Sequence, residues 1–175
     1  PEGGTKNYVF STHDTHSELC DAIRIAKGYR KEKWGYFLRA ESFYNVASQI
    51  DELDINLSGY GGKSLHEQSH GESFLSLVQN RFRGNGLYIL DEPEASLSPS
   101  RQLTLLIEMR RLINDNSQFI IATHSPILLT YPNALIYQIS DAGFERVDYQ
   151  HCEHYTLTKQ FLDNPERFWK HLISD

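Results

Sequence analysis

The stretch "GLYILDEPEASLSPSRQ", Gly86 to Gln102, decides the fold. Its opening is a compact apolar run, as a strand buried on both faces would be. The run stops at two consecutive acids, Asp91 and Glu92. Pro93 ends the strand, because proline has no N–H to give to a ladder. From Ser100 to Ile113 the apolar residues Leu103, Leu106, Ile107, Met109 and Leu112 are spaced for one face of a helix. A strand that ends in acids and passes into a helix belongs to an open α/β sheet, where ligands sit just outside the carboxyl ends of strands. Successive strand residues point to opposite faces, so the two acids need not share a role. One can hold a magnesium ion beside nucleotide phosphates. The other can polarise an attacking water. Alone, the pattern also describes an ordinary strand end where two acids meet solvent.

The next strand shifts that balance. "QFIIATHSP", Gln118 to Pro126, is a second apolar run, and it ends in Thr123-His124-Ser125. A histidine there can contact a terminal phosphate or position the attacking water. Working outward, "WGYFLRA", Trp34 to Ala40, reads as a strand that runs into Glu41. Phe74, Leu75, Leu77, Val78 and Phe82 predict a helix from about Ser69 to Arg83. "ALIYQI", Ala134 to Ile139, reads as a third buried strand, with Phe144 to Tyr149 pairing to it across Asp141-Ala142-Gly143. The tail, Thr156 to Ile173, predicts two short helices broken at Pro165. Towards the other end, Tyr8 to Phe10 is a short strand candidate. Ser17 to Lys27 has helical spacing up to Gly28, and Phe43 to Leu53 predicts another helix. Strands alternating with helices give an α/β domain with a largely parallel sheet flanked by helices.

Composition fits one such domain. The chain has 175 residues, 39% of them hydrophobic, enough for a sizeable core. A net charge of -6 argues against wholesale nucleic-acid binding and leaves room for a local basic patch. Lys27, Arg30, Lys31 and Lys33 form a short basic run, which reads as a solvated loop. Two cysteines, Cys20 and Cys152, make no disulfide framework and fit a reducing cytosol. No apolar run is long enough to span a bilayer, and a cytoplasmic location is expected. His13, His16, His151, Cys152 and His154 lack metal-site spacing, and the histidines read as scattered over the surface.

"LYILDEPEASLS" resembles the Walker B strand and D-loop of ABC-type ATPases, and "IIATHSP" resembles their switch-histidine segment. "SHGES", Ser69 to Ser73, resembles their signature, with Gln68 in place of the leucine and His70 in place of the first glycine. Together with "GYFLRAESFYNVASQIDELD", these place the chain close to soluble bacterial ATPases of that superfamily. The resemblance implies a P-loop NTPase, ABC-ATPase-like fold as a single domain over residues 1–175, with a Q-loop-like region at 34–41, a signature region at 68–83, Walker B and D-loop at 86–98, and a switch-histidine strand at 118–126. It assigns Asp91 to magnesium, Glu92 as catalytic base and His124 as switch histidine. Ser69, His70, Gly71 and Glu72 become the signature contact to nucleotide. Their helix start offers free backbone N–H groups to an anion. Ser98 stands at the D-loop position where aspartate is usual, and Glu41 where the Q-loop glutamine is expected, within reach of the magnesium shell through water.

The resemblance also needs a Walker A loop. Gly62-Lys63-Ser64 mimics its end, but Leu57 holds the place of the leading glycine and no apolar strand precedes it. Walker A is therefore expected upstream of Pro1, so that the chain is the C-terminal portion of the domain and lacks the Walker A strand and helix. ATP and magnesium are the implied cofactors, and a head-to-tail homodimer sandwiching nucleotide is the implied assembly. The resemblance further implies DNA or another protein as an expected partner, through DNA repair or phage defence. The alternatives are the ATP-binding subunit of an ABC transporter, or a non-catalytic interaction module.

Overall fold

The structure is a computed structural model and describes residues 3–4, 19–26, 28–29, 31–40 and 69–173. The predicted strand at Tyr8 to Phe10 and helix at Phe43 to Leu53, together with Glu41 and the Gly62-Lys63-Ser64 phrase, lie outside the described residues.

The chain divides into two compact units, Pro1–Ala122 and Thr123–Asp175. In the first, β1 (Gly3–Gly4), β2 (Trp34–Arg39), β3 (Gly86–Asp91) and β4 (Gln118–Ala122) form one sheet in the order β1-β2-β3-β4. β1 pairs antiparallel with β2, while β2, β3 and β4 run parallel. The fold is thus α/β with a largely parallel sheet, as the alternation of apolar strands and amphipathic helices predicts.

The parallel register fixes which residues share a face. Leu38, Leu90 and Ile121 stand level, as do Tyr36, Tyr88 and Phe119. Tyr36, Leu38, Tyr88 and Leu90 are buried. Their cover comes from α2 (His70–Arg81), which buries Phe74, Leu75, Leu77 and Val78, and α3 (Pro99–Asn114), which buries Leu105, Met109 and Leu112. Each set recurs every three or four residues, the period of one helix face. On the opposite face Ile89 and Ile120 are exposed.

The short helix α1 (Leu19–Ala22) falls short of the Ser17 to Lys27 expectation. Ile23 and Ile25 just beyond it are exposed, and a short helix gains little stability without a buried face.

Tyr88 ties the sheet to the end of α2. Its ring stacks on Phe82 with centroids 4.0 Å apart. Its hydroxyl accepts from the Arg83 N–H and donates to the Arg83 carbonyl, both at 2.6 Å. A Cβ at Gly86 would lie 2.6 Å from that ring, so glycine is needed where the ring folds back over the strand start.

The second unit holds α4 (Pro126–Leu129), β5 (Ile136–Ser140), β6 (Gly143–Val147), α5 (Glu153–Asp163) and α6 (Pro165–Leu172). The β5–β6 hairpin turns where expected, with Ser140 paired to Gly143 at a φ of 109°. It is a separate two-stranded sheet, not a third buried strand: Tyr137, Ile139 and Phe144 are exposed. The tail helices break at Asn164, whose side chain caps α6 by accepting from the Arg167 N–H, with Pro165 in the first helical turn.

Burial holds the Tyr88 phenol above its ordinary pKa. The folded state therefore keeps its proton longer than the unfolded chain, and stability falls as pH rises past about 10. Tyr88→Phe is expected to cost about 1–3 kcal/mol near neutrality by taking the acceptor from the Arg83 N–H, while the Arg83 carbonyl keeps the Ser117 hydroxyl as donor. It should also reduce the alkaline loss of stability, read by chemical denaturation across pH 8 to about 11.

Candidate functional site

Asp91 is the last residue of β3 and stands opposite Arg39, the last residue of β2. Its Oδ2 accepts from Arg39 Nε at 2.8 Å, and its side chain is 29% exposed. The carboxylate thus has a cation beside it at the carboxyl edge of the parallel strands.

Glu92 leaves the strand in the left-handed region, φ 48° and ψ 51°. Its N–H donates to the Ala122 carbonyl at 2.9 Å, which pins the turn to the end of β4. The other non-glycine residues with positive φ are Asn85, Asn116 and Asn133. Asparagine tolerates that region, whereas a glutamate there pays roughly 1–2 kcal/mol for its Cβ. Strain of this kind persists where the surroundings impose it, and it concentrates at functional sites.

A 3-10 turn, Pro93–Ser96, follows, and Pro93 and Leu97 are buried beneath it. Gln102 donates to the Leu97 carbonyl at 3.1 Å, which braces the loop from within α3. Ser98 is the exposed N-cap of α3, with its Oγ 3.1 Å from that of Ser100.

Ser69 is the N-cap of α2, as its sequence predicts. Glu72 Oε2 accepts from the Ser69 N–H at 3.0 Å and from its hydroxyl at 2.8 Å. This is the back-reaching half of a capping box. His70 opens the helix and is exposed, while Gly71 is buried. Arg101 donates from Nη1 to Ser69 Oγ at 3.1 Å and from Nη2 to Glu72 Oε1 at 2.9 Å. The start of α2 and the first turn of α3 are therefore joined.

His124 belongs to the second unit. Its Nδ1 is 3.1 Å from His154 Nε2, with the rings edge to face at 4.7 Å. Thr123 Oγ1 accepts from the Ser125 N–H, and Ser125 Oγ accepts from Ile127 and Leu128 N–H groups. The backbone on the C-terminal side of His124 is fixed by hydroxyls, and its ring is held by His154.

The structure thus brings Ser69, Gly71 and Glu72 together, and sets Asp91 and Glu92 side by side at a strand end. Three basic side chains at these positions, Arg39, Arg101 and His154, were not singled out for these roles by the sequence. Arg39 is legible once the β2–β3 register is known. Arg101 and His154 meet partners far along the chain, and no local pattern marks them. Among the described residues no group of three or more His, Cys, Asp or Glu is placed to hold a metal ion. What the strand end offers is Asp91 and Glu92, which suits magnesium, an ion held by one or two carboxylates with waters and phosphates.

Residues 66–130 match the sequence family described as "AAA domain, putative AbiEii toxin, Type IV TA system". The matched residues are thus similar to that family's ATPase-type domain. That segment spans the start of α2, the strand-end acids and the histidine turn. The chain is also 29% identical over 126 residues to a Haemophilus influenzae protein named as an ABC transporter ATP-binding protein. The alignment covers 70% of this chain and 47% of that relative, so the chain spans about half its length. The crystal structure of UvrA2 from Deinococcus radiodurans is similar over 49% of this chain and 12% of that one, at 20% identity and a TM-score of 0.31. These sequence likenesses support nucleotide binding as a general function. No helix among the described residues is long and apolar enough to cross a membrane.

The left-handed turn makes a prediction of its own. Glu92→Gly should be more stable than Glu92→Ala by about 1 kcal/mol, because only alanine keeps the Cβ clash. Paired thermal denaturation of the two variants measures the difference.

Proposed function

We propose that the chain forms the Walker B, D-loop, signature and switch-histidine parts of an ATP hydrolase, with the Walker A loop supplied outside the described residues. The observation that carries this reading is the end of β3. Two acids lie just outside the carboxyl edge of a parallel sheet, and the second is held in a backbone region that a glutamate adopts only at a cost.

Asp91 is the residue to hold magnesium, with Glu41 reaching its shell through water. The bound ion supplies charge neutralisation of the nucleotide phosphates. Glu92 orients a water for in-line attack on the terminal phosphorus and accepts its proton. The new bond is water oxygen to phosphorus, the bond to the bridging oxygen breaks, and ADP and phosphate leave. His124 contacts the terminal phosphate, with His154 fixing its ring.

Ser69, His70, Gly71 and Glu72 meet a nucleotide held by a second copy, where the N-terminus of α2 presents backbone N–H groups to the terminal phosphate. Ser98, on the D-loop, lies toward the same shared interface. Head-to-tail dimerisation follows from that division of labour, in the cytoplasm. The coupled process is proposed as DNA repair or phage defence. A second reading, the ATP-binding subunit of a transporter, is favoured by the name of the Haemophilus relative. Co-purification of the whole protein with a membrane permease would select it.

Glu92→Gln in the whole protein should lower ATP turnover on the order of a hundredfold or more while ATP still binds. Steady-state phosphate release beside a nucleotide-binding titration measures both. Turnover equal to the parent's would refute the role given to Glu92.

A further inference from the structure

We infer that Arg101 is a positioning residue for the signature turn, fixing Ser69 and Glu72 against the loop that follows Glu92. The inference rests on the proposed function, in that the start of α2 is taken as the contact to a nucleotide held by a second copy.

Arg101 occupies the first turn of α3, where no acidic residue is present. A cation at a helix N-terminus faces the positive end of the helix dipole, so its own helix disfavours it there. Its partners lie elsewhere. One arm of the guanidinium reaches Ser69 Oγ at 3.1 Å and the other reaches Glu72 Oε1 at 2.9 Å. The planar fork of arginine serves two acceptors at once in a fixed geometry, which a lysine ammonium on a flexible stem does not reproduce.

Gly71 supplies the third observation. A Cβ at that position would lie 2.7 Å from the Ser96 carbonyl oxygen and 2.8 Å from Arg101 Nη1. The backbone of the signature turn is therefore pressed against both the guanidinium and the 3-10 turn that begins one residue after Glu92. A displacement of that turn reaches Ser69 and Glu72 through Arg101 and the Ser96 carbonyl.

Exposure decides what the pair is for. The side chains of Arg101 and Glu72 are 32% and 54% exposed. Ion pairs this open to water add little to folding. Removing Arg101 should leave the melting temperature near the parent's and act instead on the orientation of Ser69 and Glu72.

The test uses the whole protein with magnesium and the non-hydrolysable analogue AMP-PNP. Analytical ultracentrifugation reads nucleotide-dependent dimerisation, and a fluorescent ATP analogue under monomeric conditions reads binding to the single protomer. Arg101→Ala is expected to weaken the dimer about tenfold, the worth of a lost hydrogen bond to a charged group, with protomer affinity and melting temperature unchanged. Arg101→Lys should recover only part of the loss. Arg101→Gln serves as a second neutral variant if Arg101→Ala does not fold. Ser69→Arg controls for the underlying reading, since it blocks the signature contact directly. Loss with Ser69→Arg but none with Arg101→Ala or Arg101→Gln overturns the role of Arg101 and leaves the signature reading intact. Unchanged dimerisation with Ser69→Arg overturns the signature reading itself.

Discussion

The parallel register of β2, β3 and β4 is the constraint on which the rest depends. It sets Arg39, Asp91 and Ala122 level at one edge of the sheet. From that single alignment follow the Arg39–Asp91 ion pair and the bond from the Glu92 N–H to the Ala122 carbonyl. A slip by one residue would turn every side chain of a strand to the other face. Asp91 would then point into the core that Tyr88 and Leu90 now fill, where an unpaired charge is not tolerated. The buried face, packed by α2 and α3, fixes the register, and the register places the acids.

Charge at the candidate site is balanced internally. Asp91 is paired with Arg39 and Glu72 with Arg101. The Asp91–Arg39 pair is partly open to water, so Asp91 can exchange Arg39 for another cation at small cost. That is a useful property for a side chain proposed to meet magnesium, because entry of the ion replaces one favourable contact with another. The strain at Glu92 has the opposite character. It lies in the backbone, which the Glu92 N–H bond to the Ala122 carbonyl anchors at the strand end.

The fold was legible where the sequence is strongly periodic. β2, β3, β4, α2 and α3 all fall within a residue or two of expectation, because each carries a strong apolar pattern, although Leu103 and Ile107 of the expected α3 face and Ile89 and Ile120 of the strands are exposed. Reading failed where pattern and packing part company. Leu19, Ala22, Ile23 and Ala26 have helical spacing, yet the helix ends at Ala22 and Ile23 is exposed. "ALIYQI" has the composition of a buried strand, yet Ile139 is 71% exposed on a hairpin, because short apolar runs do not reveal which sheet they join. At the candidate site, the acids, the N-cap serine and its glutamate were visible as local motifs. The arginines and His154 were not, since Arg39–Asp91, Arg101–Glu72 and His124–His154 are contacts between residues distant in sequence. Only the folded chain brings such pairs together.

The central claim is that the end of β3 binds a divalent metal together with nucleotide phosphates through Asp91. Manganese substitutes for magnesium at oxygen sites and is counted directly by electron paramagnetic resonance. A titration of the whole protein with Mn2+ and AMP-PNP should show nucleotide-dependent bound metal that Asp91→Asn weakens by about tenfold or more. Equal Mn2+ binding by the parent and by a folded Asp91→Asn variant would contradict it.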